Sequence, residues 1–232
     1  MLTIAILAGG LAQRLRPITE NIPKALVEIQ NKPFVDWQLD LLSSKGISNV
    51  VFCVSYRADL IQEHVGDGMQ FNLKISYSED GEELLGTGGA LKKALPLLGE
   101  KFMVIYGDSF LDLDYKLAEK TFLDCAKPAM MTVYRNNDCL DKSNVKFKFP
   151  NVLEYNKSKE ENHFEFIDYG LNFFESEVFA SDRYGTHFDL SVVCSELAKQ
   201  GSLAGLEVTN RFYEVGSFKG ISDFSKYLEE RQ

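Results

Sequence analysis

Leu2-Thr3-Ile4-Ala5-Ile6-Leu7-Ala8-Gly9-Gly10 opens the chain, and its reading decides the fold. Residues 2–7 form an unbroken apolar run, the pattern of a strand buried on both faces, and such strands belong to sheets covered by helices. The paired glycines that end it let backbone N–H groups come close to a ligand, because no Cβ intervenes. No basic residue precedes the run, and it leads directly into a Gly- and Arg-rich segment. It reads as a first strand and not as a signal peptide.

Working outward, apolar runs alternate with helical patterns. Phe34, Trp37, Leu41 and Leu42 form one helical stripe over 34–46, with Pro33 at its start and Gly46 as its stop. Residues 50–54 read as a strand, 58–65 as a short helix, 73–77 as a strand, 88–98 as a helix and 102–106 as a buried strand ending at Gly107-Asp108. This rhythm implies a Rossmann-like, doubly wound sheet, with ligands beyond the carboxyl ends of its strands. After Asp108 the pattern changes. Residues 129–134, 144–149, 152–155 and 165–174 read as strands joined by short links, 189–200 as an amphipathic helix and 217–230 as a terminal one. The expectation is a single α/β domain over 1–232 with a mixed sheet, its later part a strand-rich insertion.

Composition narrows the function classes. The 232 residues are 45% hydrophobic and 25% charged, with 17 Phe and 10 Tyr, which excludes a disordered chain. No run approaches the ~20 apolar residues of a membrane span. The net charge of −9 argues against a broad nucleic-acid surface, so an anionic ligand must meet locally concentrated positive charge. Cys53, Cys125, Cys139 and Cys194 are scattered without CxxC spacing, as reduced thiols of a cytoplasmic protein would be. With only three isolated histidines, no structural zinc site is expected.

The local positive charge lies directly after the first strand. Residues 9–24 hold Arg14, Arg16 and Lys24 against Glu20 alone, a net +2. Backbone N–H groups from Leu7 to Gly10 can approach a phosphate, Arg14 can fork onto its oxygens, and Lys24 can place a point charge on a neighbouring one. The bland alternative is a tight turn flanked by solvated arginines. Neither a GxxxxGK[ST] loop nor a GxGxxG motif is present, since Gly86-Thr87-Gly88-Gly89-Ala90-Leu91 lacks the third glycine.

Gly9-Gly10 through Arg14-Leu15 and Pro17, followed by Pro23-Lys24-Ala25-Leu26, resembles the signature of the sugar-1-phosphate nucleotidylyltransferases, GG-x-G-[TS]-R-L-x-P with PK soon after. The resemblance runs on through Gly86-Thr87-Gly88-Gly89-Ala90, Gly107-Asp108 and Tyr213-Glu214-Val215-Gly216, and is strongest to the short heptose-1-phosphate guanylyltransferase-like enzymes. Two positions depart from the pattern: Ala12 replaces the third glycine and Gln13 the Thr or Ser.

The resemblance implies a GT-A-like nucleotidyltransferase domain, with residues 1–110 binding the nucleotide and 111–232 supplying the acceptor side and the terminal helix. The chain stops after that helix, so assembly through the left-handed β-helix of some relatives is not expected. The implied reaction is attack by a sugar phosphate oxygen on the α-phosphorus of a nucleoside triphosphate, releasing pyrophosphate, for surface polysaccharide precursors. The attacking monoester is already anionic near neutral pH, so positioning and charge neutralisation matter more than a general base. By resemblance, Arg14 and Lys24 are the catalytic cations, Arg14 on the β- or γ-phosphate and Lys24 on the α- or attacking phosphate. Asp108 is an Mg²⁺ ligand, with Glu214 as the second carboxylate. Leu7, Ala8, Gly9, Gly10, Gly86, Thr87 and Gly88 bind the nucleotide, and Lys157, Asp168 and Gly170 the acceptor. Glu79, Asp80, Glu82 and Glu83 offer a carboxylate to guanine or are simply solvated; GTP is favoured, with CTP and UTP close behind. Read from the residues alone, Asp108 is also a turn or capping residue, Glu214 a surface carboxylate and Lys157 an exposed lysine. Three outcomes stay open: the sugar enzyme, a cytidylyltransferase for a non-sugar phosphate such as phosphocholine, and a nucleotide-sugar-binding regulator without turnover. The assembly expected is a monomer or homodimer.

Overall fold

The opening run becomes β1 (Thr3–Leu7), followed by the short strands β2 (Glu28–Ile29) and β3 (Lys32–Pro33), α1 (Phe34–Ser44), β4 (Asn49–Val54), α2 (Ala58–Val65), β5 (Lys74–Glu79), α3 (Gly86–Leu98) and β6 (Lys101–Tyr106). The later part comprises β7 (Ser109–Phe110), α4 (Tyr115–Asp124), β8 (Ala129–Arg135), β9 (Val145–Lys148), β10 (Asn151–Tyr155), β11 (Phe166–Glu175), α5 (Glu177–Ala180), α6 (Leu190–Lys199), β12 (Leu203–Val208), β13 (Tyr213–Glu214) and α7 (Phe218–Glu229). This computed structural model describes residues 1–10, 13–81, 83–157, 164–180 and 182–231.

Nine strands form one mixed sheet in the order β5-β4-β1-β6-β11-β8-β12-β10-β9. The first four are mutually parallel. Then β11 runs antiparallel to β6 and β8, and β12 parallel to β8. An extra pairing of β9 with β11 closes the last five strands on themselves. The α/β expectation therefore holds, and the late strands extend the same sheet instead of forming a separate insertion. The sequence reading omitted α4, α5, β12 and the two-residue strands β2, β3, β7 and β13, and started α3 two residues late.

Alternation along the strands loads the two sheet faces. Ile4, Ile6, Val50 and Phe52 pack with Val35, Leu39 and Leu42 of α1 and Ile61 of α2, together with Tyr115 and Phe122 of α4. Ala5, Val51 and Val104 face Leu91 and Ala94 of α3 and Val193 and Leu197 of α6. A third cluster, Phe34, Phe110, Val215, Phe224 and Leu228, seats α7 against α1 and β7. Burying each such large side chain contributes about 1.5–3 kcal/mol, so the framework beneath the strand ends is rigid.

The strand order turns back at β1. Strands β4 and β5 lie to one side of it, and β6, reached through α3, lies on the other. Ligands of doubly wound sheets bind at such a switch point. Leu7 and Tyr106 are register partners at the ends of β1 and β6. Ala8-Gly9-Gly10 and Gly107-Asp108 therefore leave the sheet side by side.

Candidate active site

A cleft of about 630 Å³ opens at this point. It is lined by the sequence-selected residues Leu7, Ala8, Gly9, Gly10, Arg14, Lys24, Gly86, Thr87 and Asp108. A second cleft of about 480 Å³ holds Lys157, Asp168, Gly170 and Glu214. The two share Arg14, Tyr106 and Asp108, so these three residues stand where the clefts meet.

Local structure explains how each side chain arrives there. Lys24 sits on a short 3₁₀ turn between buried Pro23 and buried Ala25, a turn closed by Leu26 N–H donating to the Pro23 carbonyl at 2.9 Å. Its neighbours being buried, Lys24 faces the cleft, and its Nζ lies 2.7 Å from Asp108 Oδ2. Arg14 is carried by a similar turn, Gln13–Leu15, anchored by fully buried Leu15. Asp108 is held through its backbone: Gly107 N–H donates to the Leu7 carbonyl and Val215 N–H to the Asp108 carbonyl, each at 2.9 Å.

Glu214 reaches the same place because β13 pairs with β7, setting Glu214 opposite Ser109. Its carboxylate is fixed by the Gly216 N–H on Oε2 and by the Ser217 hydroxyl, which donates to Oε1 at 2.6 Å. Gly216 marks the convergence. A Cβ there would lie 2.6 Å from Glu214 Oε2, 3.1 Å from Asp108 Oδ2 and 3.3 Å from Arg14 Nη2. Two carboxylates and a guanidinium thus surround one small volume.

Among the described residues no group of three or more His, Cys, Asp or Glu could hold a metal ion. Mg²⁺ does not need one, since it binds through one or two carboxylates completed by substrate phosphates and water. The Asp108–Glu214 pair fits that requirement.

In the second cleft, β11 bulges against β8 between Asp168 and Asn172. Gly170 supplies the bulge with φ of +104°, a conformation that excludes most side chains. The bulge aims Asp168 at the cleft floor, where it accepts from Gly170 N–H at 3.0 Å, Asn172 Nδ2 at 3.3 Å and the Tyr155 hydroxyl at 3.3 Å. Burial raises its pKa, opposed by Lys157 and these hydrogen bonds. Lys157 follows β10, with Nζ 3.5 Å from the Tyr106 hydroxyl and 3.9 Å from Asp189 Oδ1.

One nucleotide assignment is corrected. Gly88 does not line the cleft: Gly88 and Gly89 N–H both donate to the Phe188 carbonyl, and a Cβ on Gly88 would lie 2.3 Å from the Phe188 ring. That glycine admits the packing of α3 against the segment leading into α6. Gly86 and Thr87, the two residues just before it, do face the cleft. Of the acidic group, Asp80 lines the nucleotide-side cleft and Glu83 instead pairs with His187 at 3.1 Å. Burial raises the Asp80 pKa, against the Leu85 N–H, Lys93 and His187. Ala12 and Glu82 lie outside the described residues. Tyr106, which walls both clefts, went unselected because an aromatic residue ending a strand carries no functional signature.

Residues 4–231 match the protein-family model described as Nucleotidyl transferase. The chain belongs to that family. Within the nucleotidyl transferases it is 40% identical over 109 residues to the D-glycero-alpha-D-manno-heptose 1-phosphate guanylyltransferase of Campylobacter jejuni, covering 47% of this chain and 48% of that one. It is 36% identical over 117 residues to the N-acetylmuramate alpha-1-phosphate uridylyltransferase of Neisseria meningitidis, covering 50% and 51%. The chain spans about half the length of these curated relatives. The crystal structure of HddC from Yersinia pseudotuberculosis is similar throughout, at 26% identity and a TM-score of 0.85, covering 98% of this chain and all of that one. The same protein complexed with GMP-PN gives a TM-score of 0.83. No helix among the described residues is long and apolar enough to cross a membrane.

Proposed function

We propose that this nucleotidyl transferase joins a nucleoside triphosphate to a sugar 1-phosphate, giving a nucleotide sugar and pyrophosphate. The observation that carries the reading is the meeting of two clefts at Arg14, Tyr106 and Asp108, with Lys24 paired to Asp108. A reaction between two phosphate groups needs two binding spaces opening on one cationic point. An acceptor phosphate oxygen forms the new bond to the α-phosphorus, the bond from that phosphorus to the α,β-bridging oxygen breaks, and pyrophosphate leaves with the electron pair. Lys24 screens the α- and acceptor phosphates from each other, and Arg14 neutralises the departing pyrophosphate. Asp108 and Glu214 would hold Mg²⁺, which supplies charge neutralisation on the phosphate oxygens. Residues 1–110 provide most of the donor side, and 111–232 most of the acceptor side.

GTP is the donor this reading favours. The Asp80 carboxylate lies in the nucleotide-side cleft, where it can accept from guanine N1–H and the exocyclic amine together. HddC, the relative complexed with GMP-PN, supports the same choice. On the acceptor side, Asp168 accepts from sugar hydroxyls and Lys157 neutralises the acceptor phosphate. A second reading draws on the aromatic side chains Tyr106, Tyr169, Phe212 and Tyr213 of that cleft, which also suit a quaternary ammonium such as that of phosphocholine.

Pyrophosphate release, measured for GTP, CTP and UTP against hexose and heptose 1-phosphates and phosphocholine, tests both readings. A guanine–sugar pair is the expected winner. CTP with phosphocholine as best pair selects the second reading, and no turnover with any pair overturns both.

A further inference from the structure

The turn that carries Asp108, the carboxylate both clefts share, is held from α1 by a side chain. Gln38 lies on α1 and is 2% exposed. Its Nε2 donates to the Tyr106 carbonyl at 3.0 Å and to the Ser109 carbonyl at 2.7 Å. Those carbonyls flank Gly107-Asp108, so one carboxamide bridges the two ends of the turn that carries Asp108. Two further ties on this turn, from Gly107 to Leu7 and from Val215 to Asp108, are backbone to backbone. The link to α1 is made by a side chain. Gln38 Oε1 is buried with no partner among the described residues. A buried polar atom left unsatisfied is costly, which marks the two-donor face of the amide as the part the fold uses.

We propose that Gln38 is a positioning residue: its paired N–H groups set the height of the Gly107-Asp108 turn, and so the place of the Asp108 carboxylate between Lys24 and Glu214. This inference rests on the reading of Asp108 as the carboxylate facing metal and phosphates. The chemistry is selective for a primary amide. Glutamate has the same shape but, ionised, turns an acceptor toward two carbonyl oxygens. Methionine fills the volume but offers neither carbonyl a donor. Either change frees the turn on the α1 side without touching a substrate group.

The test compares Gln38→Met and Gln38→Glu with Asp108→Asn, each normalised for folded protein by thermal unfolding. Two readouts are taken: pyrophosphate release with the triphosphate the wild type uses, and Mn²⁺ binding, by electron paramagnetic resonance, to protein saturated with that triphosphate's α,β-methylene analogue. A positioning role predicts that kcat falls on the order of 10- to 100-fold while the nucleotide KM stays within about twofold. It also predicts weaker Mn²⁺ binding in both variants, and pairing two variants keeps the test alive should one fail to fold. Folded Gln38 variants with unchanged kcat and Mn²⁺ affinity, alongside an inactive Asp108→Asn, overturn this inference alone. Normal turnover by Asp108→Asn overturns the catalytic reading of Asp108, and the role of Gln38 with it.

Discussion

Replacing Gly216 by alanine adds one methyl group at the point where the site converges. The φ of Gly216 lies outside the left-handed region, so alanine brings no backbone strain. Its effect comes from the neighbours the new Cβ meets: Glu214 Oε2 at 2.6 Å, Asp108 Oδ2 at 3.1 Å and Arg14 Nη2 at 3.3 Å. Ordinary carbon–oxygen contact begins near 3.4 Å, so the Glu214 carboxylate must retreat by about 0.8 Å and the other two groups by a few tenths. That retreat also strains the hydrogen bond Oε2 accepts from the Gly216 N–H, costing stability about 1 kcal/mol. A displacement of this size at a reacting centre lowers turnover on the order of 10- to 100-fold, or about 1.4–2.7 kcal/mol in the barrier. Steady-state pyrophosphate release, run beside a melting curve, measures both quantities. The nucleotide KM should change little, because Gly86 and Thr87 are not among the groups the new Cβ meets. Turnover within about twofold of wild type in the folded variant would refute the claim that these three groups converge on the reacting phosphates.

Lys24→Ala and Asp108→Asn each remove one half of the 2.7 Å pair where the clefts meet, and kcat is expected to fall by about two orders of magnitude or more with the melting temperature nearly kept. Near-normal rates contradict the assigned roles. Asp80→Asn is expected to lower kcat/KM for GTP about 10- to 100-fold, and for CTP by less, because a charged acceptor for two guanine donors is lost; equal losses would remove Asp80 from base reading. Asp168→Asn tests burial of charge. The raised pKa of Asp168 means the folded state keeps its proton to higher pH than the unfolded chain, so stability falls as pH rises from the unfolded pKa through the folded one. Asn should remove that pH-dependent loss, raising the melting temperature at neutral pH while weakening acceptor KM. A melting temperature unchanged or lowered at neutral pH would contradict it.

Much of this was legible because the physics was local. The apolar run of β1 reads directly as a buried strand, and the cations that follow it in an acidic chain mark a candidate anion site. Gly88 misled because a glycine pair at a helix start is required equally by a phosphate and by a ring packed against the helix, here Phe188. Strand β12 was hidden by Gly205, a weak strand former that is needed because a Cβ would strike the Phe147 ring at 2.4 Å. Helix α4 did carry a signal: Asp114 accepts from Leu117 N–H as its cap, and Tyr115, Ala118 and Phe122 are spaced along its buried face. The meeting of Glu214 with Asp108 was implied by the family resemblance and not by any local pattern, since it depends on the two-residue pairing of β13 with β7. Gln38 shows itself only as a polar residue between Phe34 and Leu42, on the stripe of α1 that the fold buries.

The central claim is that an acceptor phosphate attacks the α-phosphorus of a nucleotide at the junction of the two clefts. It is tested most directly by following α-³²P-labelled GTP with Mg²⁺ and heptose or hexose 1-phosphates. The account predicts that the label moves into a nucleotide sugar in equal amount to the unlabelled pyrophosphate released. Pyrophosphate that carries the label, or triphosphate left intact beside every acceptor, would contradict it.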